Sequence, residues 1–374
     1  MKYLVTSDIH LGHRKTPTKH IIASFVDTIL TEANKDIQVL FIAGDLFDHL
    51  LYLNTPEAQQ IVQFFHKLLD YCHQHQIALR VLEGTPLHDQ FQSQILTKIN
   101  DIRDRKVDLK YHKVLEIDYI PSIQKHVLYI PDQWVNSQED LERQVNQQLA
   151  ARNLTQVDIA ILHGAFKYQT KGIPTSEFTY DESYFHHLVK GYIHIGHYHV
   201  HNPLDRIIPN GSLERLAHGE EEDKGYVTVT NDTWQFHINP FSFVYKTIQI
   251  TAKTTLESLD KQISKYPAES QIRLQMKKDH PFNTIFQELR ARYPNHHIKR
   301  LVKDSSSDTS SVAYILTDDT PLQLSENLIL DTNVKAALET VIMNKHSFTP
   351  SEQVKLEQYL QIFESSKSTE TLLA

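Results

Sequence analysis

Four times between residues 1 and 200 the chain runs through a short apolar stretch and stops on aspartate or histidine. Tyr3-Leu4-Val5-Thr6-Ser7 leads to Asp8-Ile9-His10, and Val39-Leu40-Phe41-Ile42-Ala43 leads to Gly44-Asp45-Leu46-Phe47-Asp48. Residues 157 to 162 lead to His163-Gly164, and Ile193-His194-Ile195 leads to Gly196-His197-Tyr198-His199. The run from Val39 to Ala43 is apolar throughout, the pattern of a strand buried on both faces. Between such runs lie segments with apolar residues at helical spacing: Ile21, Ile22, Phe25, Val26 and Ile29, then Ile61, Phe64, Phe65, Leu68 and Leu69. Alternating strand and helix, with polar residues gathered at the carboxyl ends of the strands, predicts an α/β layered fold that holds its ligand at those ends.

The polar residues themselves predict a metal centre. Asp8 and His10 stand two apart, as do His197 and His199, which puts each pair on one side of an extended chain. A pair of divalent ions needs a bridging carboxylate, further nitrogen and oxygen ligands on each ion, and room for substrate and water. Asp45, at the end of a central strand, is the expected bridge. Asp8, His10 and His199 would complete one site, and His163 and His197 with Asp45 the other. Imidazole and carboxylate without thiolate suit manganese, iron or zinc better than calcium. The expected chemistry is phosphoester hydrolysis by in-line attack. Asp48 is expected to orient a ligand imidazole, and His13 and Asn210 to face substrate. His194 points away by alternation and His201 lies past the strand end, so neither is expected to bind metal. A single D-x-H occurs by chance, and a lone histidine at a strand end is more often a hydrogen-bonded core residue. Four such pieces in order outweigh that reading.

Composition sets the outer bounds. A chain of 374 residues is expected to form one large domain with smaller appendages. A formal net charge of -8 and a pI near 6.3 argue against a wholly basic nucleic-acid coat, so any DNA contact must be a local patch. Cys72 is the only cysteine, which excludes an intrachain disulfide or a thiolate zinc cluster and fits a reducing cytoplasm. The N-terminus reaches Asp8 before a signal-length apolar region develops, and no run is long enough to span a bilayer, so a soluble cytoplasmic protein is expected.

Spacing divides the chain at 246/247 and 303/304. Residues 1–246 carry the strand ends described above and a hairpin around Asn231-Asp232, with a loop from Tyr168 to Phe178 that would reach over the site. The acidic run Glu220-Glu221-Glu222-Asp223 reads as a solvated loop. Residues 247–303 read as a small α+β unit. Between 271 and 303 it holds eight basic residues against two acids, a reversal of the overall balance. Lys277, Lys278, Arg290, Arg292, Lys299 and Arg300 are the expected phosphate-contacting face. Residues 304–374 read as a polar linker and a helical hairpin, whose second helix opens on the capping box Thr349-Pro350-Ser351-Glu352.

Asp8-Ile9-His10-Leu11-Gly12, Gly44-Asp45-Leu46-Phe47-Asp48, His163-Gly164, Gly196-His197-Tyr198-His199 and Gly211-Ser212-Leu213-Glu214-Arg215, with Lys224-Gly225 downstream, resemble the calcineurin-like metallophosphoesterases. Within that family the pattern is most similar to SbcD-type DNA repair nuclease subunits, including bacteriophage versions. The resemblance implies a four-layer α/β/β/α metallophosphoesterase sandwich, a small capping domain that binds DNA, and a C-terminal helical segment that docks on an SbcC-like coiled-coil ABC ATPase. It implies a homodimer, two manganese ions, and exonuclease and endonuclease action on DNA. It assigns Asp8, His10, Asp45, His163, His197 and His199 as metal ligands. One segment departs from the family pattern. Where the family has Gly-Asn-His followed by an acid, this chain has Gly84-Thr85-Pro86-Leu87-His88-Asp89, which lacks the ligating asparagine and is two residues longer. His88, steadied by Asp89, is expected to protonate the leaving oxygen or neutralise its charge. Thr85, a main-chain carbonyl, water or His88 itself would take the missing amide's place, or the second metal would bind weakly. Two other functions stay open at this point: a phosphatase for small molecules or proteins, and a DNA-end-binding scaffold that has lost catalysis.

Overall fold

The computed structural model describes residues 1–51, 55–171 and 178–303, all within the compact unit Met1–Ala313. The expected linker and C-terminal hairpin lie outside the described residues, as does the middle of the expected loop from Tyr168 to Phe178.

The first half alternates strand and helix: β1 (Lys2–Thr6), α1 (Thr18–Thr28), β2 (Val39–Ala43), α2 (Pro56–His75), β3 (Ala78–Leu82), α3 (Gln94–Asp101) and β4 (Leu109–His112). Local signals set the ends of α2: Thr55 caps it by accepting from the Ala58 N–H, Pro56 opens it, and Gln76 closes it in a left-handed conformation. Next come β5 (Glu116–Ile120), β6 (Lys125–Ile130), α4 (Gln138–Ala150), β7 (Ile159–His163), α5 (Glu182–Leu188), β8 (Ile193–Gly196), β9 (Ile207–Pro209) and the hairpin β10 (Gly225–Thr230) and β11 (Thr233–Ile238). Asn231 and Asp232 both take positive φ, which a two-residue hairpin turn needs.

These strands form two mixed sheets. The first has the order β11-β10-β1-β2-β3-β4, parallel from β1 to β4; the second has the order β5-β6-β7-β8-β9, parallel from β6 to β9. Alternation along β1 and β2 sorts their side chains. Leu4, Leu40 and Ile42 pack with Ile21 and Phe25 of α1 and with Phe64, Phe65 and Leu68 of α2. Tyr3, Val5, Val39 and Phe41 pack instead with Val127, Tyr129, Ile159 and Ile161 of the second sheet. Leu128, Ile130, Ala160 and Leu162, on the far side of that sheet, meet Leu141 and Val145 of α4 and Phe185 of α5. The chain is thus an α/β protein in which the two sheets share one apolar layer and each carries helices on its outer face.

The small unit differs from expectation. Its strands β12 (Tyr245–Gln249), β13 (Gln271–Lys277) and β14 (His297–Lys303) are parallel neighbours in that order, and α6 (Leu256–Ile263) and α7 (Phe286–Arg292) make the crossovers. Parallel strands joined through helices make this an α/β unit, not the α+β unit the spacing suggested. β12 straddles the expected boundary at 246/247.

Candidate metal centre

Backbone pairing between β1 and β2 continues past the ends of both strands. The N–H of Asp8 donates to Gly44 O at 3.1 Å, that of Ile9 to Asp45 O at 2.8 Å, and that of Leu11 to Leu46 O at 2.9 Å. Within this continuation the chain leaves the β region. Asp8 (φ 51°), His10 (54°), Asp45 (50°) and, beyond β8, His197 (97°) all take left-handed backbone, a conformation that non-glycine residues rarely adopt and that clusters at functional sites. The two-residue spacing therefore does not act through strand alternation: His197 and His199 serve different groups. Close approach of the strand ends depends on glycine. A Cβ on Gly84 would stand 2.1 Å from Asp45 N, and one on Gly196 would stand 2.5 Å from Ala43 O.

Side chains converge here from positions far apart in sequence. Asp8, His10 and His199 form one group of donor atoms, His10, Asp45 and His88 a second, and Asp45, His163 and His197 a third, with the atoms of each group lying within 4.8 Å of one another. His10 Nε2 is 3.3 Å from His199 Nε2 and 3.7 Å from Asp45 Oδ2. The other Asp45 oxygen, Oδ1, is 3.3 Å from His163 Nε2. His88 Nδ1 lies 3.2 Å from His10 Nδ1 and 4.0 Å from Asp45 Oδ2. The Thr85 hydroxyl stands 3.2 Å from Asp45 Oδ2, 3.4 Å from His163 Nε2 and 3.3 Å from His197 Nδ1.

A ring of outer partners fixes which imidazole nitrogen faces inward. His163 Nδ1 donates to Ala43 O at 2.8 Å and His199 Nδ1 to Glu220 Oε1 at 3.0 Å, so in each ring Nε2 is the nitrogen turned to the cluster. Asp48 Oδ1 lies 3.3 Å from His10 Nδ1, within reach of that imidazole. Asp8 is held by the Ser7 hydroxyl at 2.6 Å and the His197 N–H at 2.9 Å. Burial alone would raise the Asp45 carboxyl, but the imidazoles of His163, His10 and His88 reverse this and hold it well below the usual carboxylate range. Burial would likewise lower His163, and the Asp45 carboxylate instead raises it well above an ordinary histidine. An ionised carboxylate surrounded by inward-facing imidazole nitrogens, and no thiolate, is a donor set that fits divalent cations such as manganese, iron or zinc once those nitrogens are free of protons.

The acidic run is a loop of which only Asp223 is fully solvated; Glu220, Glu221 and Glu222 are half-buried and paired. Glu220 buttresses His199, and Lys224, only 1 % exposed, donates to His199 O at 2.9 Å and pairs with Glu220 at 3.2 Å and Glu222 at 2.6 Å. Burial would raise Glu220, but His199 and then Lys224 bring it down to about 2. Glu221 ties to Lys246 and, at 2.8 Å, to the Thr247 N–H at the start of the small unit. Glu220→Ala is expected to weaken any divalent-cation binding at this centre about 10- to 100-fold, the usual cost of losing an outer partner. Titration calorimetry reads this directly, and an unchanged affinity would detach Glu220 from the centre.

Several expected residues sit elsewhere. Asp89 does not steady His88: it is fully buried, and its two oxygens accept from the Phe47 N–H at 2.8 Å and the Gly84 N–H at 2.7 Å, tying together the loops that carry Asp45 and Thr85. Burial, then Asp45 and Glu83, raise its carboxyl well above the usual range. Asn210 does not face substrate either. It is buried, with Oδ1 3.2 Å from His194 Nδ1, and His194 also meets the Tyr3 hydroxyl at 3.3 Å. His13, by contrast, stays beside the centre with Asp48, His10 and Glu220 as titratable neighbours, and its Nδ1 accepts from the Thr16 N–H at 3.0 Å. His201 bonds Pro209 O and stacks on Phe236, away from the ligand groups.

The expected phosphate-contacting residues do not form one face. Ile272, Leu274, Met276 and Ile298 point into the core beneath α6 and α7, so Lys277 and Lys299 stand on the opposite side of the small sheet. Arg290 and Arg292 are on α7; Arg292 is paired with Asp260, and the Arg300 guanidinium lies 5.3 Å from the Phe286 ring on that same helical side. Lys278 is exposed just beyond the end of β13.

No family model matches the chain, and no curated protein does. One solved structure among those that match covers 63% of this chain and 98% of its own, at 9% identity and a TM-score of 0.38. A likeness that weak carries no argument about the site. No helix among the described residues is long and apolar enough to cross a membrane.

Proposed function

We propose that this protein is a metal-dependent phosphodiesterase that cuts DNA, with the four-layer sandwich of the calcineurin-like metallophosphoesterases and the role of an SbcD-type nuclease subunit. Asp45 carries the proposal: one carboxylate oxygen faces His163 and the other faces His10, so a single buried anion serves two ligand groups at once. Asp8, His10 and His199 would hold one cation with Asp45, and His163 and His197 would hold the other. Two such cations, most simply manganese, would polarise the phosphoryl oxygens and lower the pKa of a water molecule. Thr85 supplies a hydroxyl where the related pattern has an amide. His88, half-exposed at the edge of the cluster, donates an N–H to the leaving oxygen. Asp48, Glu220 and Ala43 O keep the ligating imidazoles in register. In this proposal the exposed Lys277, Lys278 and Lys299 meet DNA phosphates, residues 304–374 dock on a coiled-coil ABC ATPase, and two copies of the chain pair as a homodimer in the cytoplasm.

Thr85 also favours a second reading, because a neutral hydroxyl is a weaker donor than the amide it replaces: a DNA-end-binding scaffold without cleavage. Incubating the full chain with linear duplex DNA and with para-nitrophenyl phosphate esters across a manganese titration separates these. Cutting of DNA that needs manganese and stops on chelation is the expected result. DNA bound but uncut at every manganese concentration would establish the scaffold, and turnover of the small esters alone would establish a phosphatase.

A further inference from the structure

The two loops that bring Asp45 and His88 to the centre also hold large apolar side chains in water. Leu87 is 80 % exposed, Phe91 60 % and Leu50 46 %. They belong to one laced assembly: Gln92 donates to His49 O at 3.0 Å and accepts from the Leu51 N–H at 2.7 Å, while Asp89 ties Phe47 to Gly84. Leu87 lies within the longer segment, next to His88, and its carbonyl accepts from Gln90 at 3.0 Å. Both Gln90 (φ 45°) and Phe91 (φ 57°) take left-handed backbone. The Phe91 N–H is pinned at 2.7 Å by the carboxylate of Glu83, which is buried. Strained backbone, held by a buried acid, thus keeps an aromatic ring out of the core three residues from His88. Such strain persists only where the surroundings over-determine it, and it gathers at functional positions.

We infer that Phe91, with Leu87 and Leu50 on the same laced loops, is a stacking platform for the nucleobase adjacent to the scissile phosphodiester. The inference rests on the nuclease reading and extends it to how a DNA end is gripped. An exposed phenyl ring suits a base, because every base offers a π-face and stacking tolerates any sequence. A protein partner fits less well. A stable interface takes about 20–30 residues a side, and three side chains on two short loops fall well below that.

The test compares kcat/KM of the full chain, with manganese, on a short duplex and on the same duplex with abasic sites at the cleaved end. The wild type is expected to lose about ten- to a hundredfold on the abasic duplex. Phe91→Ala is expected to lose as much on normal DNA and nothing further on abasic DNA, whereas Phe91→Trp keeps wild-type activity. A terminal 2-aminopurine should be quenched on binding the wild type and stay bright with Phe91→Ala. Equal wild-type rates on the two duplexes would overturn the platform and leave the nuclease reading standing; this arm does not depend on how any variant folds. An equal loss for Phe91→Ala on both duplexes would also overturn it, as would a shift from dimer to monomer in sedimentation, which would make Phe91 a contact between copies. If the wild type cuts no DNA at all, the nuclease reading fails and the platform fails with it.

Discussion

Asp45→Ala is expected to abolish hydrolysis and to leave the centre unable to hold two cations. The carboxylate is buried between His163 and His10, one oxygen toward each, and it also accepts from the Thr85 N–H at 2.6 Å. Its removal takes a donor from two of the three ligand groups at once and frees Thr85 from the position it shares with His163 and His197. Losing an outer partner costs about 10- to 100-fold; losing a ligand shared by two sites should cost more, at least about a thousandfold in kcat. Counting bound manganese by anomalous scattering and measuring kcat on linear DNA test this together. Cleavage retained in Asp45→Ala would overturn the site assignment. Asp45→Asn keeps an oxygen for Thr85 but removes the charge, and it should fail in the same way, which separates loss of the anion from loss of the tether.

His88→Ala is expected to keep both cations and to slow the chemical step by about two to four orders of magnitude, the usual contribution of a positioned acid or base. His88 stands at the edge of the cluster, its Nδ1 close to His10 and farther from Asp45. Both Asp89 oxygens are taken by main-chain donors, so alanine at 88 leaves that brace in place. A single-turnover rate separates chemistry from binding, and manganese titration of the same variant distinguishes the two places His88 can occupy. Two ions with slow chemistry put His88 on the leaving group; one ion would make it the ligand that stands in for the missing asparagine.

Wherever a residue's environment is set by its near neighbours, the sequence was a good guide. Val39 to Ala43 reads as a buried strand because every position is apolar, and it is one. His194 reads as a core residue because alternation turns it from its neighbours, and Tyr3 and Asn210 do hold it. The meeting of Asp8, Asp45, His163 and His199 was legible because each follows a strand of a layered sheet, and parallel sheets gather such ends. The misread residues have partners set by tertiary structure. Glu220 to Asp223 is a run of like charge when read alone, yet Lys224 and Lys246 neutralise part of it and His199 uses it as a support. Asp89 stands beside His88 in sequence, which suggested a pair, but burial directs its oxygens to main-chain donors on two loops. The basic residues of the small unit are close in sequence, yet strand alternation and Asp260 distribute them over two sides. Nor did any local pattern announce the left-handed backbone at Asp8, His10, Asp45 and His197. Neighbouring strands impose it.

His10 and His199 meet although 189 positions separate them. In the proposed function the group of Asp8, His10 and His199 and the group of Asp45, His163 and His197 each draw on both sheets, so a nascent polypeptide would not chelate both ions until its second sheet has been synthesised and has closed against the first. Any cation that prefers the finished arrangement draws the folding equilibrium with it, by about 2.7 kcal/mol when present at a hundred times its dissociation constant. Metal supply in the cell would thus set how much of the protein is mature as well as how fast each molecule works.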